Sequence, residues 1–294
     1  MVSKIRMLGV PTSMGAFAPG QEDAPAALRA AGLAERIRAV GIDIDDLGDL
    51  PRRRWTPDAA HPSAQNVEAV AEITRLVAER VATPFDPDGV LLVLGGDCSV
   101  ELGVVAGHTS QAGRTGLLYT DLHADLNTPH TTDQGALDWM VVSHLIGVDG
   151  AVPAVTPPLL EPSQIRYVGL DYNHMTPGER DLLAQHDIAA TTSRKLARDP
   201  IAAARHAREQ LAGFDHVLVH LDVDLIDFND APLSENAGRA QGLPLATVTT
   251  ALGELLRAPN LRTLTVTELN PHHGAEDGST VARFVEALAG ALAA

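Results

Sequence analysis

"TGLLYTDLHADLN", residues 115 to 127, couples a short aliphatic run to a burst of acidic and imidazole side chains. So short an apolar run suits a strand buried on both faces, the usual state in a parallel sheet covered by helices. Three other stretches repeat the design: "GVLLVLGGDC" (89–98), "HVLVHLDVDLID" (216–227) and "RTLTVTELNP" (262–271). Working outward, further candidate strands are "IRMLGV" (5–10), "GIDIDDLG" (41–48) and "QIRYVGL" (164–170), with a weaker one near Ile188. Ala-rich amphipathic segments separate them, at roughly 24–39, 63–82, 99–107, 137–147, 177–186, 197–212, 244–257 and 279–293. Strand and helix in alternation imply right-handed βαβ crossovers, hence a three-layer α/β/α fold around a mostly parallel, roughly eight-stranded sheet. The same rhythm resumes after the Pro-rich stretch from Val152 to Pro162, so residues 1–294 read as a single domain.

Composition agrees with this and excludes several function classes. Apolar residues make up 45% of the chain and aromatics 3%, so Ala, Val, Leu and Ile must build the core. A formal charge of −16 repels phosphate backbones and anionic lipid, which argues against a nucleic-acid or membrane partner. "PRRRW" (51–55) is the one basic run, and a solvated loop is its commoner meaning. The single cysteine, Cys98, excludes an intramolecular disulfide framework, and the first residues lack the apolar length of a signal peptide. A cytoplasmic protein is expected.

In an open parallel sheet, ligands bind past the carboxyl ends of the strands. All four quoted stretches place polar or acidic residues there: Asp97 and Cys98; Asp121, His123 and Asp125; Asp222, Asp224 and Asp227; Glu268 and Asn270. Asp121, His123 and Asp125 fall at i, i+2 and i+4, which on an extended segment places all three on one face; Asp222 and Asp224 share the spacing. One Asp-x-Asp pair is usually a loop feature. Two such clusters at separate strand ends would force several carboxylates to stay protonated unless a cation joined them. Carboxylate oxygens with one imidazole suit Mn²⁺ or a similar ion better than structural Zn²⁺.

"GGDCS", "DLHADLNTP", "LDVDLID" and "TELNP" together resemble the signature blocks of the ureohydrolases, the arginase and agmatinase family, in order and spacing over nearly the whole chain. The resemblance implies an α/β/α enzyme that holds two Mn²⁺ per chain, hydrolyses guanidino groups and assembles as a homo-oligomer, a trimer or hexamer. Carried onto this sequence, the metal ligands are Cys98, Asp121, His123, Asp125, Asp222 and Asp224, with Asp121 and Asp222 bridging. Glu268 would face the guanidinium, and Asn127 matches a position that helps hold a substrate carboxylate, though it is equally a common turn residue. Two close divalent ions make hydroxide available near neutral pH for attack on the guanidino carbon. The catalytic set is then Asp125, Glu268, Asp138 and His130, the last two as candidates for protonating the departing amine. His144 lies in an apolar helical stretch, where a core histidine is the commoner outcome.

This chain also departs from the pattern. Cys98 stands where the family has a histidine ligand, Asp138 lies near the position of its proton-shuttle histidine, and Thr176 near that of an acid that binds a substrate α-amino group. "DFNDAPLSEN" replaces the customary Asp-Pro continuation after Asp227. These departures resemble a side branch of the family that includes the Nω-hydroxy-L-arginine hydrolase of D-cycloserine biosynthesis, which carries a cysteine at the ligand position. Four aspartates and a thiolate carry −5 against +4 from two ions, where a neutral histidine would leave −4, so the site is more electron-rich and its bound water less acidic. An N-hydroxyguanidine, less basic than an alkyl guanidine, fits such a site as substrate. Hydrolysis of a formimino or other linear C–N bond, and a non-catalytic metal-binding role, remain the alternatives.

Overall fold

A computed structural model describes residues 2–83, 89–132, 134–235 and 241–294. Among these residues eight strands, β1 (Lys4–Gly9), β2 (Asp43–Asp49), β3 (Val90–Leu94), β4 (Thr115–Thr120), β5 (Ile165–Leu170), β6 (Ala189–Thr192), β7 (His216–Asp222) and β8 (Leu261–Thr267), form one sheet. Its order is β2-β1-β3-β8-β7-β4-β5-β6, and every pairing is parallel. The helices are α1 (Ala24–Ala30), α2 (Leu33–Ala39), α3 (Val67–Val81), α4 (Val100–Thr109) and α5 (Val141–Ile146), followed by α6 (Pro177–His186), α7 (Ser193–Arg198), α8 (Pro200–Glu209), α9 (Leu245–Leu255) and α10 (Ser279–Ala293).

Alternate strand residues feed opposite faces of the sheet. Leu92 and Leu94 pack with α1, α2 and α7 to α10, whereas Leu91 and Val93 pack with α3 to α6. The three-layer expectation is therefore met, and the central strands β3 and β4 are buried along their whole length because both faces are covered, whereas β2 at one edge is largely polar and exposed.

Several element boundaries differ from the sequence expectation, each for a local reason. The single helix expected over 24–39 is two, α1 and α2, separated at Gly32, whose φ of 81° places it in the left-handed region. The segment 197–212 likewise divides: Asp199 caps α8 through Ala202 N (3.0 Å), and Pro200 starts the new helix where a missing N–H does no harm. The weak strand near Ile188 is β6, an edge strand four residues long. Strand β4 stops at Thr120, so the Asp121–Asp125 segment is not extended as expected. There the Asp121 carboxylate accepts the His123 N–H (2.8 Å), and Asp125 has a φ of +48°; the short polar side chains curl the chain off the strand.

Candidate metal centre

Strands β3, β8, β7 and β4 are consecutive across the middle of the sheet, so their carboxyl ends form one rim. The chain lays down β3 and β4 in sequence and later fills the gap between them with β7 and β8. Residues near 98, 121, 222 and 268 thereby become neighbours. Gly96 closes the rim: a Cβ there would lie 1.6 Å from Thr12 O, so only glycine lets these two backbones meet. Asp97 fastens the same turn by accepting from Gly15 N (3.0 Å) and Ser99 N (2.9 Å). Glu268 N donates to Gly96 O (2.8 Å), and the Glu268 carboxylate accepts from Cys98 N (2.6 Å) and Gln21 Nε2 (3.2 Å). Two of the four described non-glycine residues with positive φ, Asp125 (48°) and Glu268 (61°), sit on this rim, a clustering of strain typical of functional sites.

The rim opens on a cavity of about 350 Å³, within the size range of small-molecule sites. Cys98, His123, Asp125, Asp222, Asp224 and Glu268 line it, together with Asn127, Asp138 and Thr176. Asp121 lies beneath, fully buried, 3.6 Å from His123 Nδ1. His130 is exposed on a surface loop and does not line the cavity. His144 is buried and satisfied, with Nδ1 2.6 Å from Met140 O and Nε2 accepting from Val152 N (3.2 Å). The basic run lies on a loop with Arg52 and Arg54 exposed, as expected, and its charges are paired within the chain: Arg52 and Arg54 with buried Glu22, Arg52 also with Asp23, and Arg53 with Glu72.

The donor groups share one arrangement. Asp121 Oδ1 is held by His123 N, while its Oδ2 is buried with no hydrogen-bond partner. Asp222 Oδ1 is held by Asp224 N (2.6 Å), while its Oδ2 faces Cys98 Sγ at 3.2 Å. Asp125 Oδ2 accepts from Tyr119 Oη (2.5 Å), and Asp224 Oδ1 from Glu235 N (3.1 Å). Cys98, His220 and Asp222 bring donor atoms within 4.8 Å of one another. One oxygen anchored and the other directed inward is how supporting hydrogen bonds orient carboxylates toward a cation. Both the orphaned Asp121 Oδ2 and the mixed O, N and S donors fit a divalent ion.

No Lys or Arg lines the cavity among the described residues, and the titration of its groups reflects that. Burial raises the carboxyls of Asp125, Asp222, Asp138 and Glu268 well above their ordinary range, and neighbouring carboxylates push in the same direction. The Cys98 thiol is likewise pushed up by burial and by the charges of Asp222 and Glu268. Burial alone would lower His123, but its hydrogen bond to Asp121 and the surrounding carboxylates raise it to about 9.

The sequence reading passed over four residues. Glu179 and Glu235 line the cavity, yet both serve backbone or amide partners: Glu179 accepts from Leu126 N (3.2 Å) and Thr176 N (2.8 Å), and Glu235 from Asn270 Nδ2 (2.8 Å). The Thr-Pro-Gly-Glu capping box at 176–179 was a visible signal for the first. His220 and its partner Glu101 are wholly buried behind Cys98. Their signal was His220 two residues before Asp222, on the same face of β7.

A parallel α/β/α sandwich with carboxylates, an imidazole and a thiol converging past its central strands has the make-up of a metal-dependent hydrolase. The model of the arginase family matches residues 3–293. Arginase-1 of Homo sapiens is 30% identical over 279 residues, 92% of this chain and 86% of that protein. Non-hepatic arginase 1 of Xenopus laevis is 31% identical over 235 residues, 77% of this chain but only 65% of the longer relative. The crystal structure of arginase from Bacillus cereus superposes with a TM-score of 0.84 at 26% identity, covering 99% and 98% of the two chains. The chain belongs to the arginase family, whose members hydrolyse C–N bonds of linear amidines.

Proposed function

We propose that this protein is a binuclear-metal hydrolase of a guanidino or N-hydroxyguanidino group, with two Mn²⁺ per chain held by Cys98, Asp121, His123, Asp125, Asp222 and Asp224. The observation that carries the reading is the half-anchored carboxylate set, above all the buried, unpartnered Asp121 Oδ2 and the Asp222 Oδ2 that faces Cys98 Sγ. Bound divalent ions would supply Lewis acidity and an activated water at this rim. The remaining roles fall to the chain itself. Glu268, pinned by Cys98 N and Gln21, is placed to accept from the substrate's guanidinium N–H groups. Asn127 Oδ1 already accepts from Thr131 and Thr176 hydroxyls (both 3.1 Å), which leaves Nδ2 to donate to a substrate carboxylate. As water adds to the guanidino carbon and the C–N bond breaks, the departing nitrogen needs a proton. Asp138, a cavity-lining acid whose buried carboxyl keeps its proton at higher pH than usual, supplies it. His130, outside the cavity lining, is the weaker candidate.

Cysteine in place of a neutral ligand favours the N-hydroxyguanidine end of this substrate range, because the more electron-rich centre demands an easier substrate. The family resemblance further supports a trimer or hexamer acting in the cytoplasm; among the described residues no helix is long and apolar enough to cross a membrane. The test is metal content by atomic emission, alongside colorimetric detection of urea and hydroxyurea over a panel including arginine, agmatine and Nω-hydroxy-L-arginine. Two Mn²⁺ per chain and turnover of a guanidine support the reading. Full activity in metal-free protein overturns it.

A further inference from the structure

His220 and Glu101 have no part in the function proposed above, yet both are fully buried at 0% exposure. Burying a carboxylate and an imidazole is costly unless they are paired, and here they pair with each other: Nδ1 of His220 lies 3.2 Å from Glu101 Oε2. The ring lies flat on Tyr119, with centroids 4.3 Å apart and planes 1° from parallel. That leaves Nε2, which faces Cys98 Sγ at 3.4 Å and Thr267 Oγ1 at 3.3 Å; Thr267 Oγ1 is itself 3.2 Å from Sγ. Carboxylate, imidazole and sulfur therefore stand in a line from α4, through β7, to the turn after β3.

We propose that Glu101 and His220 are positioning residues for Cys98: His220, carrying both ring protons opposite the Cys98 thiolate, donates Nδ1–H to the Glu101 carboxylate and Nε2–H to Sγ, while the Tyr119 stack fixes the ring. The inference rests on the reading of Cys98 as a metal ligand. A sulfur ligand brings a full negative charge where a neutral imidazole would bring none. Hydrogen bonds from Nε2–H and the Thr267 hydroxyl draw electron density from that sulfur and return part of the Lewis acidity it removes. The histidine absent from the ligand position thus has a counterpart one layer behind it, and the Tyr119 stack ties this support to Asp125, which accepts from the same tyrosine's hydroxyl.

Cobalt-substituted protein tests this, because a Co²⁺-bound thiolate shows a sulfur-to-metal charge-transfer band in the near ultraviolet. His220→Phe keeps the stacked ring but loses the donor; His220→Gln keeps an N–H donor but loses the ring. Glu101→Gln is the milder variant should either fail to fold, checked by circular dichroism. The expected result is a band in the wild type that moves to lower energy in His220→Phe, with cobalt affinity reduced about 10-fold or more, and that returns toward the wild-type position in His220→Gln. In Glu101→Gln the band moves the same way by a smaller amount. A cobalt-loaded wild type without the band overturns the ligand reading and the inference together. A band unmoved in His220→Phe and in Glu101→Gln, with the wild-type band present, overturns the inference alone. So does loss of a whole cobalt equivalent in both His220 variants, which would make His220 a direct ligand.

Discussion

Two buried acidic regions of this molecule solve the same electrostatic problem in opposite ways. On the α8–α9 face, Glu254 is 6% exposed and meets Arg205 at 3.1 Å, Arg208 at 3.0 Å and Arg257 at 3.8 Å. At the strand-end rim, Asp121, Asp125, Asp138, Asp222 and Glu268 are all 5% exposed or less, and no arginine or lysine lines their cavity among the described residues. The first cluster is complete as folded. The second carries raised carboxyl pKa values and an orphaned oxygen, the signature of a site whose counter-charge arrives from outside.

The sharpest way to break this contrast is to remove the external charge. Chelator treatment should abolish hydrolysis of any guanidine substrate and leave the Glu254 cluster unaffected; turnover that survives dialysis against chelator, with metal absence verified, would end the comparison. Next in size, Asp138→Asn should lower turnover by about 10²-fold while metal content stays at the wild-type value, whereas His130→Asn should change turnover little. If neither variant slows the reaction, the proton comes from Glu268 or from solvent.

Stability should respond to metal and pH in linked fashion. Free Mn²⁺ at 100 times its dissociation constant should add about 2.7 kcal/mol to unfolding stability, read as a rise in melting temperature. In metal-free protein the sign is set by protons. Asp97, raised by burial to about 6, binds more protons folded than unfolded between about pH 4 and that value, so its effect on stability worsens as pH rises. His123, raised to about 9, contributes stability below about pH 6.5 that is lost as pH climbs through 9. The stripped protein should therefore melt at lower temperature as pH rises from about 5 to about 9. The loaded protein should resist this, because metal takes the place of the protons. A stripped protein that gains stability over that range would contradict the cavity's charge assignment.

The smallest effects set the two clusters side by side. Glu254→Gln should destabilise by about 1 kcal/mol or less, since Arg205 and Arg257 are half exposed and water screens their pairing. Asp222→Asn should leave the metal-free protein as stable or raise its melting temperature, because it removes one of several repelling carboxylates, and yet reduce metal content. A metal-free Asp222→Asn protein less stable than Glu254→Gln would reverse the ordering.

Much of this was legible in the linear chain. Aliphatic runs as short as "GVLLVL" and "HVLVH" suit strands buried on both faces, and their regular alternation with amphipathic segments points to a parallel α/β/α sheet. The donor residues are legible too, because chemistry concentrates where such strands end: Asp121, Asp222 and Glu268 each follow an apolar run. Local breaks were harder to see. Gly32 and Asp199 divide helices whose apolar periodicity runs on through them, and the Asp121–Asp125 segment curls because its own carboxylate captures a backbone N–H. Such side-chain to backbone competition leaves no trace in a hydrophobic pattern.

What only the tertiary structure decided is adjacency. The insertion of β8 and β7 between β3 and β4 is a choice of strand order, and no periodicity encodes it. It brings Glu268 to Cys98 N across 170 residues of chain and His220 to Cys98 Sγ across 122. His220 and Glu101 each sit in a stretch that reads as ordinary apolar strand or helix, so their meaning depends on what lies opposite. The physical reason is that composition and pattern report which faces must be buried, whereas partners inside a buried face are set by the packing of distant segments under short-range hydrogen bonding.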